Sequence, residues 1–197
     1  MSTDLLAALV AFAFVTSITP GPNNLMLLAS GANFGVRRSV PHMLGISGGF
    51  TVMVALVGLG IMAAFDAFPP LHAALKIVSV LYLLWLAWKI ATAAPPSGEP
   101  HAGGVPMTFV QAALFQWVNP KAWAMALGAI AAYAPDRSVA AVVLVAAVFG
   151  AVNLPSVGVW AAIGQGMRRL LSDPRWLRAF NVAMAFLLVA SLVPVLR

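Results

Sequence analysis

The chain has 197 residues, room for one domain. Sixty-two per cent are hydrophobic and only 8% are charged, with a mean hydropathy of +0.96. A water-soluble domain carries about 25% charged residues, so the composition excludes a soluble globular protein and identifies an integral membrane protein in contact with lipid. The net charge of +6 comes without a long basic run, which excludes nucleic acid as a partner. Basic residues beside apolar spans are instead orientation signals. Cysteine is absent, which removes disulfides, thiol nucleophiles and thiolate metal sites.

A membrane-crossing helix needs about 20 mostly apolar residues, and six stretches qualify. The first runs from Leu5 to Phe34. Its short head carries Asp4 and no Lys or Arg, so it is not read as a secretory signal. Near its middle stands Thr16-Ser17-Ile18-Thr19-Pro20-Gly21-Pro22-Asn23-Asn24. Pro20 and Pro22 each remove a backbone donor and Gly21 adds freedom, so the helix is expected to break there. The second span, Met43–Phe65, begins beside Pro41 and His42, and His42 is expected at the wet interface. Phe68-Pro69-Pro70 precedes the third, Leu71–Ile90.

The segment 94–104, rich in Pro and Gly, is the one obvious linker. It divides the chain into a first three-helix repeat, 1–92, a cytoplasmic linker, 93–106, and a second repeat, 107–197, within one transmembrane domain. The fourth span, Met107–Tyr133, carries Gln116-Trp117-Val118-Asn119-Pro120-Lys121-Ala122-Trp123 near its middle, a second predicted break. Val139–Gly164 and Leu177–Leu196 complete the set, separated by Ser172-Asp173-Pro174. Three spans per half force the second half to insert upside down. Paired interruptions in inverted repeats mark a transporter site near the bilayer midplane.

Seven basic residues (Arg37, Arg38, Lys89, Arg168, Arg169, Arg175 and Arg178) fall on the side of the odd-numbered connections, against Lys76, Arg137 and Arg197 on the other. That places the odd-numbered connections in the cytoplasm and both termini outside. Trp85, Trp88 and Trp176 lie near cytoplasmic ends as interface anchors. The pairs Gly31/Gly35, Gly45/Gly49 and Ala124/Gly128 place small residues four apart, a pattern for close helix approach that is also compatible with a homodimer.

The chemistry of the two breaks suits a small zwitterion. Freed helix N-termini attract a carboxylate, and Asn23, Asn24 and Asn119 offer donors and acceptors to either end of an amino acid. An ionisable residue at the depth of Lys121 is a functional candidate. A substrate carboxylate favours its ammonium form and substrate departure favours proton loss, which would couple substrate to protons without an acidic residue. The predicted substrate site is therefore Thr19, Pro20, Gly21, Pro22, Asn23, Asn24, Asn119, Pro120 and Lys121, with Gln116 and Asn153 lining the cavity. No metal motif, phosphate-binding loop or catalytic constellation is present, so neither cofactor nor enzymatic activity is expected.

Thr19-Pro20-Gly21-Pro22-Asn23, followed by small residues to Gly35, resembles the opening signature of the lysine exporter (LysE) family of translocators. Val118-Asn119-Pro120-Lys121-Ala122 is similar to its second signature, and Lys76–Lys89 to its third helix and basic exit. The resemblance spans essentially the whole chain. It implies a bacterial inner-membrane exporter of amino acids or close derivatives, driven by the proton gradient. After Gly45-Ile46-Ser47-Gly48-Gly49, where many relatives place an acidic or other polar residue, this chain has Phe50. A coupling carboxylate is therefore not carried over to that position. The alternatives are a cation or metal exporter of the same superfamily, disfavoured by the lack of deep Asp, Glu and Cys, and a non-transporting membrane assembly subunit.

Overall fold

A computed structural model describes residues 2–61, 63, 67–68, 70–92, 105–136 and 138–193. Among them the chain is helical, with no strand. Helix α1, Thr3–Ile18, is capped by Ser2 and α2 is Pro22–Phe34. The two are bent by 57° at the Pro20-Gly21-Pro22 break. Pro22 opens α2 at a position where a missing N–H costs nothing. Gly35, at φ 83°, makes the left-handed turn into α3, Val36–Gly58. Helix α4 is Pro70–Ala91.

Thr108 and Gln111 form a reciprocal capping box at the start of α5, Phe109–Phe115, which tightens into a 3-10 turn over Gln116–Val118. Helix α6, Pro120–Tyr133, starts afresh from the Asn119 cap. The long α7, Val139–Gly166, continues as a 3-10 segment, Met167–Ser172. Helix α8 is Pro174–Ala190, with Asp173 accepting from the Arg175 amide at 2.7 Å.

Three described helical runs are long and apolar enough to cross a membrane singly: Val36–Gly58, Ala73–Ala91 and Val139–Ser172, with the bent pair α1–α2 as a fourth. The other expected spans do not meet that length as single helices: α5 and α6 are divided at Pro120 and α8 has 17 residues. The second span starts at Val36 rather than Met43 and its helix stops at Gly58, where Gly60 takes φ 100°. The predicted linker, 94–104, lies outside the described residues.

Helix α7 is the centre of the bundle. It packs on α1, α2 and α3, while α5 and α6 pack on α3, and α4 pairs with α8. Lipid tails are as apolar as the side chains, so close backbone approach rather than escape from water holds such helices together. A Cβ on Gly31 would overlap the Ala161 carbonyl, and one on Gly164 the Leu28 carbonyl, so α2 and α7 cross backbone to backbone. Gly45 and Gly49 meet the backbone of Phe109 and Ala113 in the same way, joining α3 to α5. Gly35 instead faces the side chains of Gln165 and Arg168. Ala124 is exposed and Gly128 meets only the Phe12 ring, so that pair makes no such crossing. Trp85, Trp88 and Trp176 are exposed, as interface anchors require.

Candidate functional site

A broken helix leaves carbonyls at the end of its first half without intrahelical donors. In the first break nearly all of them find a side chain. Asn24 Nδ2 donates to Ser17 O at 2.9 Å and Thr19 O at 2.6 Å, and Trp160 Nε1 to Ile18 O at 3.0 Å. Lys121 Nζ donates to Thr19 O at 2.6 Å, Thr19 Oγ1 at 2.9 Å and Pro20 O at 3.4 Å. Lys121 thus sits at the negative end of α1, where the helix dipole favours a cation.

The second break is closed by similar means. Trp123 Nε1 donates to Trp117 O at 2.9 Å, and Asn119 Oδ1 accepts from the Lys121 amide at 3.1 Å. The two breaks are then tied to each other. Asn23 Nδ2 donates to Gln116 Oε1 at 2.8 Å, and Gln116 Nε2 returns a bond to Asn23 Oδ1 at 3.1 Å. Gln116 is fully buried and also donates to Ala112 O at 2.9 Å.

Losing one amide of that pair strands the other, and a buried unsatisfied polar group costs about 1–3 kcal/mol. Asn23→Leu and Gln116→Leu are each expected to lower the unfolding temperature in detergent. The double variant should lose less than the two single losses combined, by about 1 kcal/mol or more. Strict additivity in a double-mutant cycle would show that the pair contributes nothing.

Between the breaks lies a small cavity. Its polar wall is formed by Ser17, Asn23, Asn24, Asn119, Lys121 and Asn153. Gly21 and Thr16 complete that side, and Phe50, Ala122, Met125 and Val157 form the apolar side. The space holds about 20 Å³, enough for a water and too little for an amino acid.

Of the predicted site residues, the cavity brings together Gly21, Asn23, Asn24, Asn119, Lys121 and Asn153. Thr19 and Pro20 touch it through Lys121, and Gln116 stands behind Asn23. Pro22 and Pro120 begin the second half of each broken helix. The sequence reading missed Phe50 as a cavity wall, because an aromatic on an apolar helix carries no mark of the side it faces. His42, expected at the wet interface, is buried instead. Helix α3 begins at Val36, so His42 lies inside the helix, on the face where Ser39 bonds Ser30 of α2 at 2.7 Å. The imidazole is 2% exposed and neither ring nitrogen has a partner among the described residues.

Two interrupted helices whose breaks meet at a polar cavity inside an apolar bundle define a membrane transporter. The chain belongs to the LysE type translocator family, which it matches over residues 14–193. It is 31% identical over 194 residues to the cysteine/O-acetylserine efflux protein of Escherichia coli strain K12, covering 96% of each chain. The proteins of the same name from Shigella sonnei strain Ss046, at 31%, and Escherichia coli O139:H28, at 30%, are covered equally. No solved structure matches. The protein is a multi-pass inner-membrane transporter and not an enzyme.

Proposed function

We propose that the protein exports small amino acids or their close derivatives by proton-coupled alternating access, as a secondary transporter. The observation that carries this is the junction of the two breaks, where Lys121 of one clamps Thr19 and Pro20 of the other beside a small polar cavity. The relatives named cysteine/O-acetylserine efflux proteins support a substrate of that size and polarity.

The substrate site comprises Thr19, Pro20, Gly21, Pro22, Asn23 and Asn24 from the first break and Asn119, Pro120 and Lys121 from the second. Lys121 has three N–H donors, and in the site as it stands all three have acceptors on the first break. A substrate carboxylate competes for that ammonium, and the bond to Pro20 O, the longest at 3.4 Å, is the first to yield. Releasing the clamp frees the hinge between α1 and α2. Substrate binding and helix movement are thereby linked, and proton loss from Lys121 after substrate departure resets the site.

Two inverted three-helix repeats, 1–92 and 107–197 around the linker 93–106, supply the moving parts. This is supported by reciprocal packing, in which the broken helix of each half lies chiefly on the second helix of the other: α1 and α2 on α7, α5 and α6 on α3. Purified protein in liposomes should exchange a labelled amino acid from a broad panel. No exchange with any member, under either polarity of pH gradient, would refute the proposal.

Both termini are assigned to the periplasm by the seven-to-three split of basic residues. Alkaline phosphatase fused after Arg197 should be active and fused after Gly104 silent. The opposite pattern would invert the orientation.

A further inference from the structure

Asn153 stands out among the described cavity residues because it carries a buried polar side-chain atom with no partner. It lies within α7 and is 4% exposed. Its Nδ2 donates to Ser17 Oγ at 3.1 Å, which fixes the side chain against α1. Its Oδ1 is buried and has no partner among the described residues. The other cavity amides leave no buried atom unpaired: Asn23 is paired with Gln116 at both ends, Asn24 Nδ2 holds the end of α1, and Asn119 Oδ1 caps α6. A buried carbonyl oxygen kept unpaired in the wall of a cavity is an acceptor waiting for a donor.

The charges in the cavity say which donor. Lys121 supplies a cation, suited to a carboxylate. The second pole of an amino acid is an ammonium, which requires acceptors, yet the cavity holds no Asp or Glu among the described residues. We infer that Asn153 Oδ1 receives the α-ammonium of the substrate while Lys121 receives its carboxylate, so that the site selects neutral amino acids. The assignment rests on the export function proposed above and names the subsite that function leaves open. A neutral amide oxygen accepts one ammonium without fixing a second charge nearby. The remaining wall, with Phe50, Met125 and Val157, has no counter-ion for a cationic side chain. Lysine-like substrates are therefore excluded, and acids lacking the amine leave Asn153 unsatisfied.

The test compares cysteine with 3-mercaptopropionate, the same molecule without its amine, as competitors of labelled cysteine exchange in proteoliposomes. A hydrogen bond to a charged group accounts for about a tenfold preference or more. Wild-type protein should favour cysteine over 3-mercaptopropionate by at least about tenfold. In Asn153→Leu that preference should collapse toward equality through weaker binding of cysteine alone. Asn153→Asp, which keeps the shape, should retain cysteine and admit 2,3-diaminopropionate, whose second amine the new carboxylate can hold. This second variant decides the matter if the leucine variant does not fold. An unchanged preference in folded Asn153→Leu, an equal loss of both competitors, or exclusion of 2,3-diaminopropionate by folded Asn153→Asp would overturn the assignment. Failure of wild-type vesicles to exchange any amino acid of the panel would refute export itself, and the subsite with it.

Discussion

Lys121→Ala is expected to abolish amino-acid exchange while the protein still inserts and folds. The fold survives because the carbonyl most strongly held by Lys121, Thr19 O, is also held by Asn24 Nδ2 at 2.6 Å. Thr19 Oγ1 also keeps its own bond to Thr16 O at 3.0 Å, so of the three acceptors only Pro20 O loses its side-chain donor without another side-chain bond. The expected loss of stability is about 1–2 kcal/mol. Transport suffers far more, since a substrate carboxylate loses the one cation of the cavity wall among the described residues, and a hydrogen bond between charged groups accounts for about 1.5–3 kcal/mol, roughly tenfold or more in affinity. Lys121→Arg should restore little, because a guanidinium does not release its proton in the working range and presents a planar fork instead of a compact ammonium.

Two companions sharpen the test. The Lys121 stem lies against Gly21, and a Cβ there would fall on Lys121 Cδ. Gly21 is in an extended conformation, φ −177°, which any residue adopts. Gly21→Ala should therefore impair exchange by displacing Lys121 without straining the backbone. Lys76→Ala, at an exposed position of α4, should be nearly silent. Normal exchange by Lys121→Ala, with an unchanged pH dependence, would show that the lysine has no part in transport.

Gly31→Leu is expected to be among the most destabilising single changes in the chain. Its first added atom would coincide with the Ala161 carbonyl, and the facing Gly164 is equally tight against Leu28 O. No side-chain rotation relieves a clash with backbone, so α2 and α7 must separate along their crossing. Overpacking a close interface costs about 1–3 kcal/mol and occasionally more, and here the upper end or beyond is expected. The measurement is the unfolding temperature and the folded yield in detergent. Gly166→Ala, where an added Cβ meets nothing within 4 Å, is the control and should leave both unchanged. Equal behaviour of the two variants would mean that the α2–α7 crossing is not close-packed in solution.

The membrane class, the helical fold and the positions of both breaks are legible in the sequence because their causes are local. Composition chooses the solvent, and Pro22 and Pro120 are suited to the first position of a new helix, whereas Pro41 and Pro155 are carried inside α3 and α7. Lys121 and the asparagines are equally visible, since a polar residue in an apolar run is conspicuous whatever surrounds it. Their partners are not. Lys121 reaches Thr19 across 102 residues, Asn23 pairs with Gln116 across 93, and Trp160 caps Ile18 across 142. Nor is the facing of apolar side chains legible. In α1, Leu9 and Ala13 are fully buried while Phe14 and Val15 are half exposed, yet all four are apolar. In water the inner and outer faces of a helix differ in composition. In lipid both are oily, so only the packed bundle decides that Phe50 walls the cavity, that His42 is buried, and that the free oxygen of Asn153 is sealed inside the wall of the site.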